Sequence, residues 1–335
     1  MRLLFVLIPA IVSSLLLSCG DTSKKIDTSK LTLDSLLVLY PDSIPLLVKK
    51  GNELIEKVQY QKALEVAAKA YRLDSVSFDT RVLYAEALIN KPTRSADDML
   101  RGHLMYKSLV KANPKSEKAL VGLANTYTML EDMDNSFVYI NKALRINPRY
   151  RDAYILKGTN YRLKQDLKLA ISSYETAVQI DPKCTMAYLS LAVLYELNGD
   201  AKLGMEKYTT AYQLEPKNTE VIYALAYAKE NLGQTNEAMN LYRKMARLDS
   251  TYADAFFHIA RIYQYDKPQL DSAIFYYKKA INANQEHIPS YHNLGLVYEE
   301  KNDITNALFT YAKVLKMDPD YVLTKERVAV LKNKR

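Results

Sequence analysis

Tryptophan is absent from this chain, and cysteine and histidine are nearly so, with two and four copies in 335 residues. Each scarcity excludes a class of function. The four histidines, His103, His258, His287 and His292, include no pair four residues apart with a glutamate between them, the arrangement zinc hydrolysis requires. His287 and His292 are five apart, which turns them away from each other on a helix. The nine glycines form no phosphate-cradling loop or nucleophile elbow, and two cysteines form no paired metal motif. Cys184, with no histidine or acid motif around it, reads as an incidental small residue rather than a nucleophile. No catalysis, metal site or cofactor is therefore expected. The formal net charge of +8 is scattered along the chain, so nucleic acid is not an expected partner, while attraction to anionic lipid or cell-wall polymer stays open.

What the chain does have is a period. Pro148, Pro182 and Pro216 recur every 34 residues, and Ser250 continues in phase. Backwards the series reaches Pro114, then Ser75 across a five-residue insertion, then Pro41; forwards it reaches Gln285 across one extra residue, then Pro319. A fixed period of this length means stacked copies of one supersecondary unit. With the proline counted as position 32, position 8 is Gly51, Ala85, Ala124, Gly158, Ala192, Ala226, Ala260 and Gly295. Position 20 is Ala63, Gly102, Ser136, Ala170, Gly204, Ala238, Ala273 and Ala307, again nothing larger than serine. Tyrosine holds complementary places: Tyr127, Tyr161, Tyr195, Tyr263 and Tyr298 at position 11, and Tyr106, Tyr174, Tyr208, Tyr242, Tyr277 and Tyr311 at position 24. Two helices approach closely only where both present small residues, and aromatic rings fill the wedge beside the contact. Apolar residues at positions 4, 7, 8 and 11, then 20, 24 and 27, fit two successive helices of period 3.6. The proline ends the second helix because it cannot continue the backbone ladder.

This pattern resembles the tetratricopeptide repeat (TPR) family over residues 44–321. The resemblance implies an all-α, right-handed superhelical solenoid of about eight helix-turn-helix repeats, at 44–77, 78–116, 117–150, 151–184, 185–218, 219–252, 253–287 and 288–321. It further implies that the first helix of each pair lines a concave groove. Lys50 and Lys157 replace an apolar residue at position 7 and Lys229 an aromatic at position 11, so their stems should lie along the core with the ammonium reaching water. The extra residues of the second repeat, around 91–98, should lengthen the turn between its helices. A solenoid needs covers at its ends. Residues 31–43, with Leu33 and Leu36, read as an N-terminal half repeat, and 322–335 as a capping helix with Leu323, Val328 and Leu331 on its buried side.

The long apolar run, Leu3 to Leu17, is short for a membrane span and fits the hydrophobic region of a secretory signal. Leu16, Leu17, Ser18 and Cys19 resemble the lipobox of bacterial lipoproteins. That resemblance implies a signal peptide over 1–18, removal of that peptide, acylation (palmitate-type chains) at Cys19, and a polar tether over 19–30. An uncleaved anchor, or an ordinary signal peptide with a chance cysteine, is the alternative. If Cys19 is acylated, Cys184 has no intrachain partner. The expected location is the bacterial cell envelope, with the chain held by its lipid, at the outer membrane facing the periplasm.

In the TPR family the concave face is made mainly by positions 2, 5, 9, 12 and 13 of the first helix. Position 5 of the later repeats gives Leu189, Tyr223, Phe257 and His292, and position 9 gives Val193, Tyr227, Arg261 and Leu296. The candidate partner-binding face is Leu189, Val193, Tyr223, Tyr227, Phe257, His258 and Arg261, extended by Asn293 and Leu296. An exposed aromatic patch usually marks an interaction surface. The competing reading is that neighbouring first helices bury some of these side chains as extra core. The family's carboxylate clamp is not carried over, because Val121 precedes Asn125 and Leu156 occupies position 6 of the next repeat. The expected function is a non-enzymatic, membrane-anchored scaffold or adaptor that holds a partner protein segment in this groove, in envelope assembly, secretion or protease regulation. The alternative is a glycan-binding lipoprotein of a nutrient-uptake system, with tyrosine faces stacking on sugars.

Overall fold

The structure, a computed structural model, describes residues 31–333. The expected signal peptide, Cys19 and tether lie outside the described residues. Every regular element among those described is a helix, and the chain divides into two compact units at Met99.

The first unit contains α1 (Leu33–Leu39), α2 (Ile44–Glu56), α3 (Tyr60–Leu73) and α4 (Phe78–Asn90), and ends in the first turn of α5 (Ala96–Ala112). Thr32 caps α1, its hydroxyl accepting the Ser35 N–H at 3.2 Å. Leu33 and Leu36 are half-buried against α2 rather than fully enclosed. Leu54, Ala63, Ala67, Leu83 and Ala87 form the core. Gly51 is needed there, since a Cβ would fall 2.4 Å from the Leu83 side chain. Lys50 reaches out of the core as its long stem allows, and its ammonium meets Asp34 at 2.6 Å. The insertion folds into a turn pinned by Asp98. That carboxylate accepts from Ser95 N–H at 2.8 Å and from Lys91 Nζ at 2.7 Å. The lysine hydrogen bond, followed by the Ser95 N–H, holds Asp98 down at a pKa of about 2.

The second unit takes up the remainder of α5 and continues with α6 (Glu117–Met129), α7 (Met133–Ile146), α8 (Arg151–Leu163), α9 (Leu167–Ile180), α10 (Thr185–Leu197) and α11 (Ala201–Leu214). It goes on through α12 (Thr219–Asn231), α13 (Thr235–Leu248), α14 (Ala253–Arg261), α15 (Leu270–Ala283), α16 (Ile288–Glu300), α17 (Ile304–Met317) and α18 (Val322–Asn333). From α6 onward the helices pack as consecutive pairs, each against the next, and α18 closes the stack on α17. These pairs are repeats 3 to 8.

Both kinds of turn follow a recurring plan. Between the helices of a pair, position 15 adopts positive φ: Glu131, Gln165, Gly199, Gly233 and Asn302 lie between +58° and +88°. The next N–H then reaches back to the position 11 carbonyl, as from Asp132 to Tyr127 at 2.9 Å and from Asp200 to Tyr195 at 2.7 Å. Between pairs, Asn147, Asp181, Asp249, Asn284 and Asp318 each accept the N–H two residues on at 2.9–3.0 Å.

Repeat 7 has one extra residue, and the structure shows where it goes. Pro268 occupies the place of the positive-φ residue, and its ring fixes φ near −65°. The helix instead ends in a π turn, Ile262–Asp266, continuing α14, and the closing bond runs from Gln269 N–H to the Tyr263 carbonyl at 2.7 Å.

Small residues and tyrosines interlock in a more specific way than their spacing reveals. In repeat 5, positions 8 and 20 do meet: a Cβ on Gly204 would lie 2.9 Å from the Ala192 carbonyl oxygen. In repeats 4 and 8, position 8 is small because the position 24 ring lies across it. A Cβ on Gly158 would come within 2.7 Å of Tyr174, and one on Gly295 within 2.3 Å of Tyr311. The cap differs by one residue from the expected pattern. Leu331 is buried and Val328 packs beside it, but Leu323 is 55% exposed. Thr324 is buried in its place, hydrogen-bonded to His292 Nδ1 at 2.8 Å. The polar group under α18 thus selects a threonine where an apolar pattern selected leucine.

Candidate partner-binding face

The first helices α10, α12, α14 and α16 bring positions 2, 5, 9 and 13 onto one stripe, because these spacings of three and four follow the helical repeat. On that stripe Val193 and Tyr227 are 42% and 43% exposed. Leu189, Tyr223, Phe257, Asn293 and Leu296 are half-buried. Leu189 packs against the cluster of Ala192 and Tyr208, and Phe257 against that of Ala260 and Tyr277, so position 5 serves core and surface together. Asn293 hydrogen-bonds to Tyr277. Tyr223 and Tyr227 stack with ring centroids 6.1 Å apart, which holds the exposed ring flat along the helix.

His258 does not offer its ring to a partner. It is buried, stacked 4.7 Å from Tyr242, with Nδ1 2.8 Å from Glu230 Oε2 and Nε2 3.2 Å from the Tyr223 hydroxyl. An ionised carboxylate only accepts, so Nδ1 carries the proton of that bond. Glu230 is the hub of this site. Its Oε2 also accepts from Tyr242 OH at 2.7 Å, and its Oε1 lies 3.7 Å from Arg261 Nη1. Burial opposes the charge on Glu230, but the hydrogen bonds from His258 and Tyr242 outweigh it, and the pKa falls below the usual range. Arg261 therefore ties two repeats together as well as facing the stripe, with its guanidinium 6.0 Å from the Phe257 ring centre.

The hub is one instance of a recurring bond. The position 24 hydroxyl donates to the side chain at position 12 of its own repeat: Tyr208 to Glu196 at 3.0 Å, Tyr242 to Glu230 at 2.7 Å, Tyr311 to Glu299 at 2.5 Å. In repeat 7 the extra residue is absorbed, and Tyr277 donates to Gln264 at 2.8 Å. Position 6 of the following repeat then adds a donor: His258 to Glu230, and Arg327 Nε to Glu299 at 3.0 Å. Sequence reasoning missed these acceptors; the one signal for them is spacing, since Glu196, Glu230 and Glu299 each stand twelve residues before a tyrosine. Met186, Leu197 and Tyr265, at positions 2 and 13, are also 50%, 63% and 56% exposed, and they lengthen the apolar strip. Positions 5 and 9 alone did not reveal them.

Charge is sorted between the two sets of helices. On α13, α15 and α17 stand Arg243, Lys244, Arg247, Lys278, Lys279, Lys313 and Lys316. The acids there are Glu237 and Asp271, each paired with a lysine of a first-helix segment, Lys229 and Lys301. On the first-helix stripe of repeats 5–8, Arg261 is the single Lys or Arg at positions 2, 5, 9, 12 and 13, against six carboxylates.

Among the described residues, paired helices stacked without strands, with small residues at the crossings, define an α-solenoid of helical repeats. The second helices of repeats 3, 4, 6, 7 and 8 end in Asx turns, and the first helices carry the candidate stripe. Residues 117–150, 152–184, 219–252, 253–287 and 288–321 each match the tetratricopeptide repeat family, and the chain belongs to it. No curated protein matches it closely enough to register. Among solved structures, it is similar to a chain of the APC/C hetero-tetramer Cut9–Hcn1, with a TM-score of 0.60 and 17% identity over 87% of this chain and 56% of that one. It is also similar to the human IFIT1 dimer with PPP-AAAA, at a TM-score of 0.55 and 17% identity over 86% of this chain and 78% of that one. The chain thus spans just over half the length of the first of these, and at such identities the likeness shows the fold alone.

Proposed function

We propose that this chain is a non-enzymatic, membrane-anchored scaffold that holds a segment of a partner protein on the first-helix face of repeats 5–8. The observation that carries the reading is the strip of exposed apolar and aromatic side chains, Met186, Val193, Leu197, Tyr227 and Tyr265, on three successive first helices. Exposed apolar surface of this kind is removed from water when a partner docks. The position 24 to position 12 bonds fix the helices beneath it, so docking needs little reorganisation. Acylated Cys19 would hold the scaffold at the bacterial envelope, and assembly, secretion or protease regulation are the settings that suit such an adaptor. A photo-crosslinking side chain at Tyr227 should trap a protein partner in envelope extracts, while the same group at Phe275 on α15 should not. Equal trapping at both sites, or none, would overturn the reading. Trapping of polysaccharide instead would favour the glycan-binding alternative. Lipid on the mature N-terminus, seen by mass spectrometry and lost with Cys19→Ser, tests the anchor separately.

A further inference from the structure

We infer that the segment bound on this face is basic as well as apolar: a peptide that presents leucine- or phenylalanine-like side chains to the strip and lysine or arginine to its edges. This rests on the reading that a partner segment lies there, and adds the partner's charge. The apolar strip is bordered by Glu220 and Asp254 at position 2, Glu196 at position 12 and Glu300 at position 13. Neutral hydrogen bonds hold two of them without cancelling their charge: Glu196 accepts from the Tyr208 hydroxyl, and Glu300 from the Gln264 amide at 2.6 Å. Asp254 accepts from His287 Nε2 at 3.2 Å, and that bond lowers its pKa. The one cation of the stripe, Arg261, is already turned toward Glu230. The face therefore carries negative charge although the whole chain is positive at +8, because the lysines and arginines of repeats 6–8 are concentrated on the second helices. An acidic segment would be repelled from the strip, and a neutral one would leave four carboxylates uncompensated. A basic segment pairs with them, and its cations can also lie over the faces of Tyr227 and Tyr265.

The test uses the full-length protein in detergent and three fluorescein-labelled amphipathic helical peptides with one shared leucine–phenylalanine face and a polar face of lysine, glutamine or glutamate. Anisotropy titrations at 0.1 M and 1 M NaCl shorten the screening length from about 10 Å to about 3 Å. The lysine peptide should bind at least ~10-fold more tightly than the glutamate peptide at low salt, with glutamine between, and the preference should shrink several-fold at high salt. Glu220→Lys, at an exposed position outside the tyrosine bonds, should cut the lysine preference about threefold with an unchanged melting curve. Three peptides that bind alike and are all weakened by Tyr227→Ala would leave the partner-binding reading standing and overturn this one. A glutamate preference, a salt-independent preference, or no binding of any peptide would also overturn it.

Discussion

Val58 sits at a φ of +59°, in the turn between α2 and α3 where other repeats use Gly199 and Gly233. A left-handed conformation costs an L-residue roughly 1–2 kcal/mol, and a β-branched side chain is the least suited to it. Glycine avoids that cost but loses about 0.5–1 kcal/mol more chain entropy on folding. Val58 is largely exposed, so little packing is lost with the side chain. Val58→Gly should therefore stabilise the protein by ~0.5–1 kcal/mol in urea melts; a lower midpoint would show that the turn is not strained. Gly204 gives the opposite case. Its nearest obstacle is the Ala192 carbonyl oxygen, a backbone atom that cannot swing aside. Gly204→Ala should push α10 and α11 apart and cost ~1–3 kcal/mol, whereas an unchanged melt would mean that the helices separate freely. The small residues were legible in the sequence because sterics restrict positions 8 and 20 to a few residue types. The left-handed position 15 was not, because Val58, Glu131, Gln165 and Asn302 share no side-chain property. There the geometry is imposed by the backbone hydrogen bond that closes the turn.

At the scale of the helix pair, stability lies in the tyrosine rings and in where their hydroxyls go. Tyr242 is fully buried and its hydroxyl meets Glu230, so Tyr242→Phe leaves a largely enclosed carboxylate, its side chain 12% exposed, with one donor fewer. That should cost ~1.5–3 kcal/mol, while Tyr242→Ala, which also opens a cavity, should cost ~3–5 kcal/mol. Tyr174 donates to no acid; its hydroxyl meets Thr159 at 2.8 Å, a neutral bond. Tyr174→Phe should cost about 0.5–1.5 kcal/mol. Equal losses for the two phenylalanine variants would show that the acid at position 12 adds nothing. The ring positions were readable from spacing alone. The proton acceptors were hidden because an acid at position 12 of a first helix looks, in sequence, like any solvated residue. The insertion in the second repeat makes a pH prediction of the same kind. Asp98 is held at about 2, below its unfolded value, so its contribution to stability is complete above the unfolded carboxylate range and is lost as pH falls toward 2. Asp98→Asn should flatten the acid limb of the stability curve below about pH 4; an identical limb in the variant would remove Asp98 from the account.

For the molecule as a whole, periodicity made the repeat architecture readable, whereas the candidate face was legible only in part. Positions 5 and 9 gave Val193 and Tyr227, but the same positions gave Leu189 and Phe257, which divide their surface between core and solvent. That division depends on how closely neighbouring first helices approach, and no single repeat encodes it. A consequence of nearest-neighbour packing can be tested at the end of the second unit. The cap α18 lays Leu331 and Val328 over Ala307 and Tyr311, and contributes Arg327 to Glu299 and Thr324 to His292. Ending the chain after Tyr321 uncovers that apolar face and leaves the half-buried Glu299 without the Arg327 cation. Because each repeat contacts only its neighbours, the loss should fall off along the stack. Hydrogen exchange should quicken strongly in α16 and α17, modestly in α14 and α15, and hardly at all in α6 to α9. Leu331→Ala should reproduce the pattern at smaller amplitude, with ~2–4 kcal/mol lost locally. If exchange instead quickens equally from α6 to α17, the second unit opens as one cooperative block and repeat 8 does not melt on its own.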